Sequence, residues 1–398
     1  MFDLQRLVHP VPLGVFFAEH WDKKPLLVKR GDRRYFHELF SVDDLDPFLS
    51  NFGSPAPFKL RLAKEDGDPP SIEFEANVPL DLDRIYAGYR DGYTVNVNDI
   101  ACHHPAVRRM THALLAELGA RPRPNVYLTP AGSRAFDLHY DTHDVIILQL
   151  GGAKEWRVYQ RVDETPTPAH SVGTNIDRAR VAAPAIETTL EAGELLYVPR
   201  GFVHEAHTED RFSLHITVGV LMHTYLDVLG KMVEAAGFRS AKLRESLPPG
   251  AVLGRSRAEV IARLLEMLGS ELGESLVDEA LASWAINELA QSAPVDRPRF
   301  ADLDGPEGAP ITLDEPLTRP AALVTTLRAG GGRVRLHFQA GALEGPWRVR
   351  PALEYVMRTE TLRARDLPGT LTDDEKLVLA RRMVRDGVLL RSGRRDAP

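Results

Sequence analysis

The chain has 398 residues, a formal charge of −7, 43% hydrophobic and 26% charged residues, which is ordinary for a globular protein with a buried core and room for two or three domains. The negative balance weighs against a general nucleic-acid binder, because phosphate affinity comes from clustered Lys and Arg. A single cysteine, Cys102, excludes an intrachain disulfide and fits a reducing compartment, so a cytoplasmic location is expected. The opening MFDLQRLVHPVPLGVFFAEHWDKK lacks a basic segment followed by an unbroken apolar run, so no signal peptide is expected. No run of about 18 apolar residues is present, so no membrane-spanning helix is expected either.

Residues 1 to 120 read as an α/β lead-in. Pro25 to Val28 suits a strand, Ser41 before Val42-Asp43-Asp44-Leu45 reads as a capped helix start, and Val107, Met110, Leu114, Leu115 and Leu118 recur at helical spacing. From Asn125 to Val220 the pattern changes to short strands: Asp144 to Leu150, a Gly151-Gly152 turn, Trp156 to Tyr159, Ile186 to Leu190, Leu195 to Val198 and Ser213 to Val220. Their even spacing predicts an antiparallel sandwich or barrel. After Val220 the period is helical. Leu221, Met222, Tyr225, Leu226, Leu229, Met232 and Val233 form one stripe broken at Gly237, with further helices from Ser256 and over Leu276 to Leu289. These stripes read either as a cover for the barrel or as a subunit interface. Residues 296 to 310, rich in Pro, Asp and Gly, read as a linker. A small mixed domain follows. Gly330-Gly331-Gly332 marks a hairpin turn before the alternating Arg333 to Gln339, and Ala352 to Met357 is a short helix. Thr372 with Glu375 forms a capping box for a helix ended by Gly387, and Val388 to Leu390 is a strand. The order suggests a winged-helix arrangement.

The chemistry concentrates in Phe136-Asp137-Leu138-His139-Tyr140-Asp141-Thr142-His143. On a strand, residues two apart share a face, so His139 and Asp141 present an imidazole and a carboxylate side by side. Alone, His-x-Asp is a common accident. Gly193 to His204 supplies the missing partner: a turn, an apolar strand and a Pro199-Arg200-Gly201 turn, which can return His204 to the opposite wall. Two His and one carboxylate on one face of an octahedron leave three positions open, as a non-haem Fe(II) needs. A structural zinc site would close its coordination, commonly with several Cys. His143 shares the parity of the pair and reads as lining the mouth. His207 has the opposite parity to His204, and His103-His104, before a proline, reads as a helix cap. Lys154 in Ala-Lys-Glu-Trp reads, taken alone, as a solvated hairpin lysine.

HYDTHDVIILQLGGAKEWRVY and GELLYVPRGFVHEAHT, followed by SLHITVG, resemble the ribosomal oxygenases, JmjC-type members of the cupin superfamily. The resemblance implies an α+β fold: a double-stranded β-helix (the cupin/JmjC jelly roll), a helical dimerisation segment and a winged-helix-like C-terminal domain. The corresponding boundaries are residues 1–220, 221–295 and 296–398. It implies an Fe(II)- and 2-oxoglutarate-dependent, O2-consuming hydroxylase of an Arg or His side chain of a protein, with ribosomal proteins among the substrates. A homodimer is implied, and neither nucleic acid nor membrane is expected as a partner. His139, Asp141 and His204 take the metal-ligand positions. Lys154 matches the lysine that pairs with the distal carboxylate of 2-oxoglutarate, and a buried dianion does need a fixed cation. Asn125 and Tyr127 match positions lining the cosubstrate pocket, and Thr217 matches a hydroxyl donor to the same carboxylate. Tyr127 and Thr217 read equally as satisfied core hydroxyls. Two departures stand out. Asp137-Leu138 occupies the place of small or apolar residues before His-x-Asp, and Gly219 stands where some histidine-hydroxylating relatives carry serine. The alternatives are a cupin metalloenzyme with non-oxygenase chemistry, or a JmjC oxygenase acting on a small molecule, a peptide or an N-methyl group.

Overall fold

Residues 2–51, 58–169, 176–295 and 310–391 are described in the computed structural model, and they fall into two units divided after Met222. The first begins with helical turns α1 (Leu4–Val8) and α2 (Leu13–Val15), strand β1 (Leu26–Val28) and helix α3 (Val42–Asn51). The Ser41 hydroxyl and backbone amide both donate to Asp44, closing the start of α3 as its sequence suggests. Next come β2 (Leu60–Ala63), β3 (Ser71–Phe74), α4 (Leu82–Arg90), β4 (Thr94–Val97) and α5 (Pro105–Leu118). The barrel strands follow: β5 (Pro122–Thr129), β6 (Asp144–Arg161), β7 (Ile186–Glu191), β8 (Leu195–Val198), β9 (Phe202–His207) and β10 (Ser213–Val220).

The strands pair antiparallel in the order β1-β8-β6-β10-β5-β4-β2-β3, while the second half of β6 pairs with β7 and β9. Alternation along these strands makes two cores. Ile146, Leu148, Val126, Ile216 and Val218 face the helices and join Val107, Met110 and Leu114 of α5. Val145 and Ile147 face the other way, into the barrel, with Trp156, Val158, Leu196 and Val198.

The Gly151-Gly152 pair does not make the expected hairpin turn. It lies inside one continuous 18-residue strand. Gly152 has φ +63, and a Cβ there would lie 1.8 Å from the Phe212 carbonyl oxygen. That carbonyl accepts from the Ala153 amide at 3.1 Å, and β10 shifts register beside it, between Leu214 and His215. Glycine therefore bends β6 without breaking its ladder, so that one strand serves both sheets. A local reading of Gly-Gly as a turn misses the tertiary pairing that keeps the chain extended.

In the second unit, α6 (Tyr225–Arg239) is opened by a Thr224–Asp227 capping box and runs through Gly237, where a break was expected. Helices α7 (Arg257–Glu271) and α8 (Glu274–Gln291) follow. Next come β11 (Pro316–Thr318), β12 (Thr325–Gly330), β13 (Arg333–Phe338), β14 (Gly341–Pro346), α9 (Arg350–Arg358), β15 (Thr361–Arg363), α10 (Asp373–Arg385) and β16 (Leu390–Arg391). Strands β12-β13-β14 form one sheet and β15-β11-β16 another. The helical segment joins the C-terminal elements in this unit: Leu289 O of α8 accepts from the Ala340 amide at 2.9 Å, and Arg328 donates to Glu279 O at 3.3 Å. The expected linker, 296–310, lies outside the described residues but for residue 310. β14 was not anticipated from Gly-Ala-Leu-Glu-Gly-Pro. Pairing with β13, and Glu344 bonded to Arg333 and Arg335, overrides its poor intrinsic preference.

Candidate functional site

The segment carrying His139 and Asp141 is not a regular strand. It is an extended arm joined to β9 by one isolated bridge, His139 to His204. The His139 amide donates to His204 O at 3.2 Å and the His204 amide to His139 O at 2.8 Å. The Gly201 amide donates to Asp141 O at 3.0 Å. An extended arm keeps the two-residue parity, so both side chains leave on the barrel side while Leu138 and Tyr140 are buried behind.

The metal-binding atoms of His139, Asp141 and His204 all lie within 4.8 Å of one another. His204 Nε2 stands 3.7 Å from Asp141 Oδ2, and the two imidazole centroids are 4.5 Å apart. His139 Nδ1 lies 2.7 Å from Asp137 O, and His204 Nδ1 lies 3.0 Å from Phe202 O. A carbonyl oxygen only accepts, so each Nδ1 is assigned the proton and each Nε2 is left as the free nitrogen. Burial, and after it the neighbouring His139, pulls the His204 pKa down to about 4 against Asp141 and the Phe202 carbonyl. That ring is neutral near pH 7 with its lone pair available. Two imidazole nitrogens fixed by backbone acceptors and one carboxylate are the donor set of an open, octahedral divalent-metal site, and they fit Fe(II).

Deeper in the same cleft, of about 670 Å³, lies Lys154. It is 4% exposed, and its Nζ donates to Thr129 Oγ1 at 3.1 Å. Thr94 donates to that same oxygen at 3.1 Å. Among the described residues Lys154 has no carboxylate partner, and burial lowers its pKa to about 7. Lys154 is thus a buried residue and not a solvated hairpin lysine. Thr129 continues the two-residue steps of Asn125 and Tyr127 along β5, a signal that the sequence carries.

Asn125, Tyr127 and Thr217 all line this cleft. Thr217 pairs with Asn125, and His215 pairs with Tyr127, across β5 and β10. The Asn125 side-chain oxygen accepts from the Asp99 amide at 2.9 Å. Tyr127 is pushed up to about 12, first by burial and then by Asp141, and stays a protonated donor. Its ring stacks on His215 at 4.9 Å and 7°. His215 is driven far below the ordinary histidine range by burial and then Lys154, which leaves it neutral.

The remaining histidines separate cleanly. His143 lines the cleft and lies over Gly219, where a Cβ would meet its ring at 2.9 Å. His207 stands apart from the triad, 3.3 Å from Glu155, and with Glu155 and Glu209 makes a second group of possible ligands. His104 occupies the N-cap position of α5, without a side-chain capping bond. A residue the sequence did not reveal is Glu205, beside His204 and 1% exposed. It accepts from Tyr159 at 2.5 Å and Arg178 at 3.0 Å, with Arg134 at 3.6 Å.

Residues 102–228 match the JmjC domain model, which places the cleft in that class of protein. The bifunctional lysine-specific demethylase and histidyl-hydroxylase NO66 of Dictyostelium discoideum is 30% identical over 306 residues, covering 74% of this chain and 57% of that protein. Ribosomal oxygenase 1 of Rattus norvegicus is 29% identical over 96% of this chain and 71% of its own length. The chain spans less than two thirds of the length of most of the similar curated relatives. A structure of YcfD, a ribosomal oxygenase from Escherichia coli in complex with cobalt and 2-oxoglutarate, shares the fold. Its TM-score is 0.55 at 20% identity, covering 96% of this chain and 99% of that one. The chain is thus similar to the ribosomal oxygenases over most of its length and carries a JmjC-type match around the cleft.

Proposed function

We propose that the protein is an Fe(II)- and 2-oxoglutarate-dependent oxygenase that hydroxylates an Arg or His side chain of a protein, a ribosomal protein being the first substrate to test. The observation that carries this reading is the convergence of His139, Asp141 and His204 in one cleft with a buried lysine that has no carboxylate partner among the described residues. A metal isomerase of the cupin type would leave that buried charge without a role.

In this reading His139 Nε2, Asp141 and His204 Nε2 hold the iron. The bound metal and 2-oxoglutarate, with O2, supply the oxidising chemistry, yielding succinate, CO2 and a hydroxylated substrate carbon. The chain's own part is positional. Lys154 holds the distal carboxylate and is relieved of its desolvation by that partner, while Thr129 keeps its ammonium aimed. Thr217, Asn125 and Tyr127 line the cosubstrate's flank. Val145, Ile147 and Trp156 make the wall apolar and keep water from the reacting carbon. Asp137, exposed at the cleft, offers a charge to a basic substrate side chain.

The helical segment is read as a dimerisation surface. Tyr225 is 97% exposed, Phe238 82% and Leu265 64%, an apolar display that a second copy would cover. The C-terminal helices and small sheets are read as a winged-helix-like domain without a nucleic-acid role. Arg382 and Arg385 pair with Asp386, and Arg391 with Glu315, so these three arginines are held by carboxylates of their own chain. The place of action is read as the cytoplasm, in keeping with the lone Cys102. Among the described residues no helix is long and apolar enough to cross a membrane.

The test is anaerobic addition of Fe(II) and 2-oxoglutarate, followed by O2 and a mass-spectrometric search of cellular proteins. A weak visible charge-transfer band and a +16 Da product that both require Asp141 are expected. Succinate formation undiminished by Asp141→Ala rejects the assignment.

A further inference from the structure

The arm bearing His139 and Asp141 has little of its own to hold it. Its inward face carries the ligands, and among the described residues the bridge to β9 and the Gly201 amide are what tie its backbone to another element near them. Its outward face, Leu138 and Tyr140, is buried in a small cluster with Tyr159 and Val203, distinct from the two main barrel cores. Packed against that cluster are Ile176 and Val181, which flank the short helical turn Arg178–Arg180. Residues 176–181 thus lie across the back of the arm.

The charged fastening of this segment is Arg178. Its guanidinium donates to both carboxylate oxygens of Glu205, at 3.0 and 2.5 Å. Glu205 follows the ligand His204 in β9. Its two oxygens are also reached by Tyr159 from β6, at 2.5 Å, and by Arg134, at 3.6 Å. Arg134 lies at the root of the same arm, and its carbonyl accepts from the Glu65 amide at 2.9 Å. One buried carboxylate therefore ties together the ligand strand, the arm and the segment behind the arm. Such a bidentate, charge-assisted pair fixes direction as well as distance.

We infer that Arg178, through Glu205, is a positioning residue for the metal ligands: residues 176–181 form a clasp that holds His139 and Asp141 at the distance from His204 that a metal requires. This rests on the reading of His139, Asp141 and His204 as the ligand set. None of residues 176–181 lines the cleft. The clasp lowers the cost of ordering the arm, and groups that orient metal ligands from behind commonly change affinity about 10–100-fold. Because the coupling is a free energy between two events, it is reciprocal. Metal binding strengthens the clasp by the same factor that the clasp strengthens metal binding.

The experiment measures Co(II) affinity of the full chain by competition with a chromophoric chelator, together with amide hydrogen exchange over residues 176–181 with and without Co(II). Arg178→Ala is the principal variant, because its side chain is 55% exposed and its removal leaves the barrel cores intact. We expect it to weaken Co(II) binding about tenfold at unchanged circular dichroism. Arg178→Lys should recover part of that loss. In the wild type, Co(II) should slow exchange at 176–181, and in Arg178→Ala that protection should shrink by the same factor. Glu205→Gln, which keeps the shape and removes the charge, should follow Arg178→Ala. If Arg178→Ala binds Co(II) within twofold of wild type while Asp141→Ala does not bind it, the clasp is overturned and the ligand set stands. If Asp141→Ala binds as wild type does, the ligand set falls and the clasp with it.

Discussion

Lys154 is where local sequence and three-dimensional role diverge most. Nothing within three residues of it distinguishes a solvated lysine from a buried one, and only the resemblance gives it a role. The sign of its pH dependence follows from its lowered pKa. With a folded-state value of about 7 against 10.5 in a free lysine, the folded chain binds fewer protons than the unfolded chain between those pH values. The cost of burying Lys154 is therefore greatest below pH 7 and fades as pH rises toward 10.5. Replacing it with Met should stabilise the ligand-free protein near pH 7 by about 1–4 kcal/mol in urea denaturation, and flatten that pH dependence. The same change should abolish 2-oxoglutarate binding. An anion paired with Lys154 raises its pKa, so binding at pH 8 should take up a proton, and affinity should weaken as pH rises above 7. Calorimetry in buffers of different ionisation enthalpy reads this directly; an uptake of zero would remove Lys154 from the cosubstrate. The convergence of His139, Asp141 and His204, by contrast, is legible once parity and the turn before His204 are taken together. Two-residue parity and a Pro-x-Gly turn are local, and the arm preserves that parity although it is not a strand.

Among the elements, β6 is the least local. Its Gly151-Gly152 pair has the composition of a turn, yet pairing with β10 up to Gly152 and with β7 and β9 beyond it keeps it a strand. Gly152→Ala tests this. The left-handed backbone alone costs about 1–2 kcal/mol. A methyl 1.8 Å from the Phe212 carbonyl oxygen forces that backbone apart in addition, so a loss of about 3 kcal/mol or more is expected, with Lys154 displaced. An unfolding midpoint within error of wild type would contradict the geometry. Most other barrel strands were read within a residue or two, because each alternates or runs apolar between clear turn residues. β14 and the Arg178–Glu205 fastening were not legible. The first depends on its partner strand, and the second joins groups 27 and 46 residues apart from Glu205, with no periodicity to announce them.

At the scale of the molecule, the helices after Met222 expose a wide apolar surface on a chain of 44.2 kDa. Light scattering should return twice that mass. Leu264→Glu with Leu265→Glu, on the exposed side of α7, should return the single-chain mass while leaving Co(II) binding intact. A wild-type monomer at micromolar concentration would remove the dimer. Where a metal goes decides the assignment, because among the described residues two groups could hold one: His139, Asp141 and His204 in the cleft, and Glu155, His207 and Glu209 apart from it. Anomalous diffraction from crystals grown with Co(II) and 2-oxoglutarate decides between them. One strong peak is expected about 2.0–2.2 Å from His139, Asp141 and His204, with a cosubstrate carboxylate against Lys154. A peak at Glu155, His207 and Glu209 with none in the cleft would contradict the assignment.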